Sequence, residues 1–313
     1  MSGVPGNEDG VGEAVSVGHD RHERLVRAPV LWRWLAPLVA ILAASCAHHA
    51  AAPADPRRGT PVDSVTTSLW RFDEPAGVRC MDSGRFRIDM TAGNSTHASY
   101  GRIGSARELT RVIDSFVYAP YNPVYDVSAE ITVEAWVYLH AFGQYELTPI
   151  AARWTEEGNT KSWLFGIVGA KLVPPLATLA SPGYFTTLVV NGRQGQLVFT
   201  FQPGDASRVR ACFSAQRLTL ERWTHVAVSF DGAVVRFFID GTLDAQYAVL
   251  GRIQPSRAPL LIGNYFDTRR LTAFSGELRL ESGDDNPYYA FEGLIDELRL
   301  SSAARTEFPG SHR

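Results

Sequence analysis

Apolar and polar positions alternate in short runs from about residue 68 onward, and Gly, Asp, Asn and Pro separate these runs. A two-residue repeat of β-branched and aromatic side chains is typical of strands. No segment of this region keeps an apolar repeat of 3.6 residues, which would indicate a helix. The pattern therefore favours an all-β sandwich. The predicted strands are 68–72, 131–139, 163–168, 186–190, 196–201, 224–230, 234–239, 259–262 and 294–300.

The clearest local signal is a hairpin within residues 223–241. Val226, Val228 and Phe230 lie on one face of its first strand, which is therefore predicted to be the core face. The dipeptide Asp231-Gly232 accepts positive φ angles and predicts a type I′ turn between the two strands. The dipeptide Asp240-Gly241 begins the next chain reversal.

Residues before the strands have the character of targeting sequence. Arginines between positions 21 and 33 precede an apolar run, 34–45, that is shorter than the roughly 20 residues a membrane-spanning helix needs. The segment Leu42–Cys46 resembles the lipobox of bacterial lipoprotein signal peptides, although Ala43 stands where Leu is commoner. The resemblance implies cleavage before Cys46 and a lipid on its sulfur. Ordinary signal cleavage and an uncleaved segment remain alternatives.

Four segments carry a wider resemblance. In order along the chain they are 70–74 (WRFDE), 131–137 (ITVEAWV), the hairpin 223–241, and 291–300 (FEGLIDELRL). Together they resemble the laminin-G-like family of concanavalin A-type jelly rolls, a fold shared with legume lectins, pentraxins and some glycoside hydrolases. The resemblance implies a concanavalin A-like jelly-roll sandwich of two antiparallel sheets, with the first and last strands adjacent.

These observations together predict the domain organisation. Residues 1–45 form an N-terminal extension with a lipoprotein signal peptide, and 46–64 form a flexible tether rich in small residues and Pro. Residues 65–306 form the laminin-G-like domain, and 307–313 form a tail. The expected location is the cell envelope, lipid-anchored. Ala47 is not the Asp that retains many lipoproteins at the inner membrane, so outer-membrane residence is expected where the host has one.

Charge and cysteine content exclude some functions. Thirty Lys and Arg against 33 Asp and Glu give a net charge of -3, so no field pulls the whole chain onto nucleic acid or anionic lipid, and nucleic acid is not an expected partner. The three cysteines, Cys46, Cys80 and Cys212, do not have zinc-site spacing. Because an exported chain meets an oxidising compartment, Cys80 and Cys212 are predicted to pair once Cys46 is acylated. Two separate buried thiols are the alternative.

Catalytic patterns are missing from the sequence. Jelly-roll glycosidases place two carboxylates at alternate positions of one strand, but Glu134 has no second carboxylate two or four residues away. Asp296 and Glu297 are adjacent, so a regular strand points them to opposite faces. His225 is interpreted as structural because no nucleophile motif accompanies it. The chain is therefore predicted not to be an enzyme. A carbohydrate-active enzyme with a non-standard site and a structural envelope protein are the alternatives.

A binding function is favoured because sandwich folds carry ligand sites on loops and faces, where aromatic side chains contact sugars or proteins. The expected partner is a glycan or an extracellular or envelope protein. Trp70, Trp136 and Trp223 lie in the strand segments and are interpreted as core. The candidate ligand-binding residues lie at or near predicted loops: Trp154, Asn264, Tyr265, Asp267, Tyr288 and Tyr289.

The last strand suggests a cation site. Leu294, Asp296, Leu298 and Leu300 share one parity, which would place Asp296 on the apolar side, where an unpaired carboxylate is costly. Backbone amides would satisfy it, and so would calcium, which takes carboxylate and backbone oxygens. Related jelly rolls often hold a structural calcium between the first and last strands. The resemblance therefore implies that the second set of ligands comes from Asp73 or Glu74.

Overall fold

A computed structural model describes residues 59–112, 114–155, 161–170, 191–204, 208–266, 268, 271–274, 277–280 and 289–308, the side chains of 272–274 and 277–280 excepted. Residues 51–313 make up one compact unit. The predicted signal peptide, Cys46 and most of the predicted tether lie outside the described residues. Within the described ranges, no helix has the length and apolar character needed to cross a bilayer.

Regular structure in the described ranges is almost entirely strand, with one short 3-10 turn at Pro123–Tyr125. The strands are β1 Thr66–Trp70, β2 Arg79–Cys80, β3 Met90–Ala92, β4 His97–Tyr100, β5 Ser105–Leu109, β6 Val117–Ala119, β7 Ile131–Ala141, β8 Leu147–Trp154, β9 Lys161–Val168, β10 Gln196–Phe201, β11 Arg210–Arg217, β12 Trp223–Phe230, β13 Val234–Ile239, β14 Thr242–Ala248, β15 Leu260–Ile262, β16 Leu271–Phe274, β17 Glu277–Leu280 and β18 Glu292–Ser301.

Two antiparallel sheets form the sandwich. Sheet A has the order β14-β13-β12-β7-β18-β5-β4, and β1 also pairs with β18. Sheet B has the order β11-β10-β9-β8-β15-β6-β3-β2, and β16 pairs with β17 in a separate ribbon. The crossovers between strands distant in sequence confirm the predicted jelly-roll sandwich. The predicted contact of the first and last strands is the β1–β18 pair.

Strand β7 illustrates why the sequence folds in this way. Its alternate residues have two environments, because successive side chains of a strand point to opposite faces. One set packs between the sheets: Ile131, Val133, Ala135, Val137 and Leu139. The other set lies on the outer face of sheet A: Thr132, Glu134, Trp136, Tyr138 and His140.

The two reversals flanking β13 differ from each other. Asp240 and Gly241 both have positive φ, 49° and 75°, as a type I′ turn requires. Between β12 and β13 only Gly232 has positive φ, 85°, so the predicted type I′ turn there is wrong. This connection has three residues, and the Asp231 carboxylate accepts the amides of Ala233 and Val234 at 2.9 and 2.7 Å. The Asp231 side chain thus stabilises this turn through backbone amides, without a second residue at positive φ.

A β-bulge in β18 corrects the predicted parity of the last strand. Asp296 pairs with Trp136 and Arg299 pairs with Glu134, so β18 has one residue more than β7 across this stretch. Glu297, at φ 50°, takes up the extra residue. Asp296 therefore lies on the outer face of sheet A, whereas Leu298 and Leu300 lie in the core. Asp296 is nevertheless completely buried.

The predicted pairing of Cys80 with Cys212 is wrong. Both are buried free cysteines, on β2 and β11, which are the opposite edges of sheet B. Seven strand spacings of about 4.8 Å separate these edges, whereas a disulfide requires Cα atoms within about 7 Å. Burial raises the pKa of both thiols to about 11, so neither is an activated nucleophile.

A buried ionic network lies on the outer face of sheet A. Glu134 Oε1 accepts from Arg299 Nε at 2.7 Å, and Oε2 accepts from His225 Nε2 at 3.1 Å. Burial opposes ionisation of Glu134, but the His225 hydrogen bond and the Arg299 charge outweigh it and lower its pKa. The burial of His225 under Phe308 agrees with its structural interpretation.

Both ends of the described chain cover this network. Arg299 Nη1 donates to the carbonyl of Pro61 at 2.7 Å, and the amide of Thr60 donates to Glu297 at 2.6 Å. Phe308 packs on Phe238 with ring centroids 4.6 Å apart. Thr60, Pro61 and Phe308, which the sequence placed in the tether and the tail, are thus packed against sheet A.

Replacing Arg299 by Met is expected to lower the free energy of unfolding by about 3–5 kcal/mol, because Glu134 then keeps a buried charge without its cation. Urea unfolding followed by tryptophan fluorescence measures this change. The lowered pKa also sets the pH response: Glu134 stabilises the folded chain above the ordinary glutamate pKa, and this contribution disappears as pH falls toward the lowered value.

The control is Arg305→Met, which removes the partner of Asp63, a more exposed carboxylate. It should cost less than about 1 kcal/mol. Equal losses for Arg299→Met and Arg305→Met would contradict the importance of the buried network.

Candidate functional site

The loop residues predicted to bind ligand are mostly interior. Trp154, Tyr265 and Tyr289 are at most 2% exposed. Tyr289 packs edge-on against Tyr145 and Tyr265, with ring centroids 5.1 and 5.7 Å apart. The predicted exposed platform is therefore corrected for these three aromatic residues, which are packing residues here.

Of the two polar residues predicted to bind ligand, Asn264 and Asp267, only Asn264 lies among the described residues. Asn264 is buried: its side chain donates to the carbonyl of Ser115 at 3.3 Å and accepts from the amide of Tyr265 at 2.8 Å. These two hydrogen bonds hold the turn that follows β15. Asp267 and Tyr288 lie outside the described residues, so their proposed role stays a prediction.

Partly exposed aromatic rings occur instead on the outer face of sheet A. Tyr138 and His140 alternate along β7, and Trp223 of β12 pairs directly with Tyr138. The Tyr138 ring centroid lies 5.6 Å from that of Trp223 and 5.4 Å from that of His140. Tyr138 and Trp223 are half-buried and His140 is exposed. We refer to Tyr138, His140 and Trp223 as the aromatic strip.

Glu221 fixes the geometry of the aromatic strip. Its carboxylate accepts from the Tyr138 hydroxyl at 2.9 Å and contacts His140 Nδ1 at 3.2 Å, while its side chain stays 58% exposed. Its backbone is held at φ 57° by a 2.8 Å hydrogen bond to the Leu139 carbonyl. The Tyr138 hydrogen bond, then that of His140, lowers the pKa of Glu221, so the strip has an ionised carboxylate at its edge at neutral pH.

Reasoning from sequence assigned Trp136 and Trp223 to the core, and this assignment is wrong for Trp223, which is half-buried, whereas Trp136 is buried but not between the sheets. Trp136 is on the outer face, 9% exposed, between His225 and the guanidinium of Arg102 at 4.8 Å. Trp70 alone of the three is an inter-sheet core residue. The alternation within 131–140 could have predicted the position of Trp136. Ile131 and Val133 are apolar and identify the face that packs between the sheets, and Trp136 lies on the opposite face.

Tyr121, another exposed aromatic residue, borders a shallow cleft. Tyr121 donates to Asp126 at 2.9 Å, and the buried Arg153 bonds the same carboxylate at 2.9 Å. The Arg153 guanidinium lies 5.8 Å from the Tyr121 ring centroid. The cleft, of about 360 Å³, is lined by Tyr121, Asp126, Lys161, Gln254, Pro255, Ser256 and Arg257. We refer to it as the Tyr121 cleft.

Two of the three predicted metal ligands adjoin one turn, between β4 and β5. Asp296 Oδ2 accepts the amide of Ile103 at 2.9 Å, and Asp73 Oδ1 accepts the amide of Ser105 at 2.8 Å. Asp296 Oδ1 is buried and has no hydrogen-bond partner in the part of the chain that is described. Burial, together with the charges of Glu297 and Asp73, raises the pKa of Asp296 to about 8.

Glu74 is not part of this arrangement, since its Oε1 accepts the amide of Met81 at 2.7 Å. No group of three or more His, Cys, Asp or Glu side chains that could hold a metal occurs among the described residues. A cation at Asp296 would therefore need backbone oxygens for most of its ligands, a donor set that calcium accepts. The unpartnered Asp296 oxygen fits such an ion.

Solved structures show the same fold in other proteins. Domain 4 of AbnA, a GH43 extracellular arabinanase from Geobacillus stearothermophilus solved with arabinotriose, is 19% identical at a TM-score of 0.51, and the match covers 79% of this chain and 96% of that one. The binding domain of Paraclostridial Mosquitocidal Protein 1 is 10% identical at a TM-score of 0.51, over 77% of this chain. The match spans about half of that second structure, 49%.

A search of curated proteins found no significant match. A family model described as the concanavalin A-like lectin/glucanases superfamily matches residues 113–307, which is more than half of the chain. The matched region includes β7, β12 and β18, the strands that carry the aromatic strip and the buried network. The chain belongs to the concanavalin A-like lectin/glucanases superfamily.

Proposed function

We propose that the protein is a non-catalytic binding domain whose aromatic strip contacts a glycan. The observation that carries the proposal is the set of ring contacts among Tyr138, His140 and Trp223, with the exposed carboxylate of Glu221 at their edge. Aromatic rings supply flat apolar surface for the C–H faces of sugars. An ionised carboxylate accepts strong hydrogen bonds from hydroxyl groups. A protein ligand remains the alternative partner.

Two carboxylates on this face, Glu134 and Glu221, favour binding over hydrolysis. A retaining glycosidase needs two carboxyl groups about 5 to 5.5 Å apart, one free to donate a proton and one to attack. Both oxygens of Glu134 are engaged by Arg299 and His225. Glu221 is held by Tyr138 and His140, and its lowered pKa suits an acceptor better than a general acid.

A glycan screen on the chain from residue 46 onward, carrying Cys46→Ala, tests the proposal. We expect binding without turnover, and we include arabinotriose because the arabinanase domain of the same fold was solved with it. Trp223→Ala should weaken binding about tenfold or more, since a lost aromatic contact is worth about 0.5–1.5 kcal/mol beyond its buried area. Glu221→Gln should also weaken binding while keeping the side-chain shape.

The matched control is Tyr121→Ala in the Tyr121 cleft, which removes an exposed aromatic ring away from the strip and should leave binding unchanged. Loss of binding in Tyr121→Ala but not in Trp223→Ala would move the site to the cleft. Cleavage of any bound glycan would contradict the non-catalytic assignment. Binding of proteins but of no glycan would support the alternative partner.

We further propose that the protein is exported and anchored through a lipid on Cys46, at the outer membrane where the host has one. The basis is the sequence of Leu42–Cys46 after a positive region and an apolar run. In the sequence, twelve residues separate Cys46 from Gly59. A tether of this length gives the domain freedom to reach ligands near the membrane.

Cys46→Ala is expected to leave an unprocessed or soluble protein, because only the thioether attaches the anchor. Fractionation of cells and electrophoretic mobility measure this. The matched control is Cys212→Ala, a cysteine change in a buried strand, which should leave the protein membrane-bound. A Cys46→Ala protein that is processed normally and stays with the membrane would contradict lipidation.

We also propose that calcium occupies the junction of Asp73, Asp296 and the turn between β4 and β5. The unpartnered Asp296 oxygen supports this, since a cation would satisfy it and favour its ionised form. When bound, the ion supplies charge compensation between the first and last strands. The residues that would hold it are Asp73 and Asp296, with backbone oxygens of the turn.

Chelation is expected to lower the melting temperature by several degrees, because a bound ion at a hundredfold excess over Kd stabilises the fold by about 2.7 kcal/mol. Asp296→Asn should abolish this response, whereas Glu74→Gln, away from the turn, should keep it. Differential scanning calorimetry with and without millimolar calcium makes the comparison. A melting curve indifferent to both calcium and chelator would remove calcium from the description.

A further inference from the structure

Residues 79–89, the connection from β2 to β3 with its flanking residues, combine apolar and basic exposed side chains. Met81 is 52% exposed and Phe86 is 46% exposed. Arg79, Arg85 and Arg87 are exposed beside them. The Arg85 guanidinium lies 5.3 Å from the Phe86 ring centroid. We refer to residues 79–89 as the basic loop.

The basic loop is rigid, because one buried carboxylate organises it. Asp82 Oδ1 accepts the amides of Leu69 and Gly84 at 2.8 and 2.7 Å, and Oδ2 accepts the amide of Ile88 at 2.9 Å. The carbonyl of Ile88 in turn accepts from the indole of Trp70 at 3.1 Å. The exposed Met81 and Phe86 therefore result from a fixed backbone, not from a loosely held segment.

The local backbone conformation also indicates that the basic loop is fixed. A Cβ on Gly84 would lie 2.5 Å from Ser68 Cα, so only glycine lets the loop lie this close to β1. Arg87 is held at φ 53°, a conformation that non-glycine residues rarely adopt. The chain thus tolerates strain in order to keep Arg85, Phe86 and Arg87 exposed at the tip.

The charges that remain at the tip are positive. Arg79 is paired with Asp89, with Nε 2.7 Å from Oδ2, and the charge of Asp82 is buried among backbone amides. Arg85 and Arg87 have no ion pair as close as this in the described structure. An apolar ring flanked by two unpaired arginines matches an anionic lipid surface, where the ring enters the headgroup layer and the guanidinium groups bind phosphates.

The basic loop lies beside the first residue of β1. The amide of Arg85 donates to the carbonyl of Thr66, the first residue of β1, at 3.4 Å. Thr66 is itself bonded to Asp63 through its amide and hydroxyl.

We propose that the basic loop docks on the anionic surface of the membrane that carries the anchor, with Phe86 and Met81 in the headgroup layer. This proposal rests on the lipid anchor of the proposed function. It adds a second, protein-borne contact to the lipid anchor. Docking orients the domain, because the basic loop then holds one face of it toward the bilayer.

Vesicle sedimentation of the chain from residue 46 onward, carrying Cys46→Ala, tests the loop without any lipid on the protein. We expect binding to phosphatidylcholine vesicles that contain about a third phosphatidylglycerol, weaker binding at high salt, and little binding to pure phosphatidylcholine. Arg85→Ala and Arg87→Ala should each weaken binding about fivefold. Phe86→Ser should weaken it at least as much while leaving the salt dependence unchanged.

The matched controls are Arg208→Ala and Leu250→Ser, which remove an exposed arginine and an 81% exposed apolar side chain elsewhere on the domain. They should bind vesicles as the parent chain does, and unchanged melting temperatures exclude unfolding of the loop variants. Absence of vesicle binding, or equal binding by parent and loop variants, would overturn the proposal. Binding to an acidic polysaccharide but not to vesicles would also overturn it.

Failure here is distinguishable from failure of the anchor. The vesicle measurement uses protein that cannot be acylated at residue 46, so its result does not depend on lipidation. The Cys46→Ala fractionation in cells reports on the thioether. A loop that binds vesicles in a protein that is not lipidated, and an anchored protein whose loop does not bind, are two different results.

Discussion

The β-bulge at Glu297 is the constraint on which much of sheet A depends. By placing one additional residue in β18, it turns Asp296 and Arg299 to the outer face, opposite Trp136 and Glu134. Buried charges on that face need partners and cover, because an uncompensated charge removed from water is strongly destabilising. Arg299 supplies the partner for Glu134. The backbone of Thr60 and Pro61 supplies hydrogen bonds to Glu297 and Arg299, so the start of the domain is fixed to its last strand.

The same cover decides where a ligand can reach the sheet. At one end of β7, Thr132 and Glu134 lie beneath the terminal segments, since Thr132 bonds the carbonyl of Ala303 and Phe308 packs beside His225. Toward the other end no such cover is described, and Tyr138 and His140 remain accessible on the same parity. The outward-facing residues of β7 are thus polar and buried at one end, and aromatic and at least partly exposed at the other. The aromatic strip is accessible because the described terminal segments pack on the other end of the strand.

The sequence could predict the sandwich because alternation and turn residues are local signals. The bounds of β10 and β13 agree with prediction, since both strands are rich in Val and Phe and lie between clear turn residues. The bulge could not be predicted, because it depends on Glu297 adopting positive φ against a partner strand. That one residue reversed the inferred parity of Asp296. The cysteine pairing failed because strand order, which places β2 and β11 at opposite edges, is a property of the whole topology.

The aromatic strip and the basic loop lie at different levels along β18. Arg85 of the basic loop is bonded to Thr66, which pairs with Ser301 near the end of β18. Tyr138 of the aromatic strip pairs with Leu294, near its start. At about 3.3 Å per residue, these levels are roughly 20 Å apart along the strand. A domain resting on the basic loop would therefore hold the strip away from the bilayer, so that membrane docking and ligand binding do not compete for one surface.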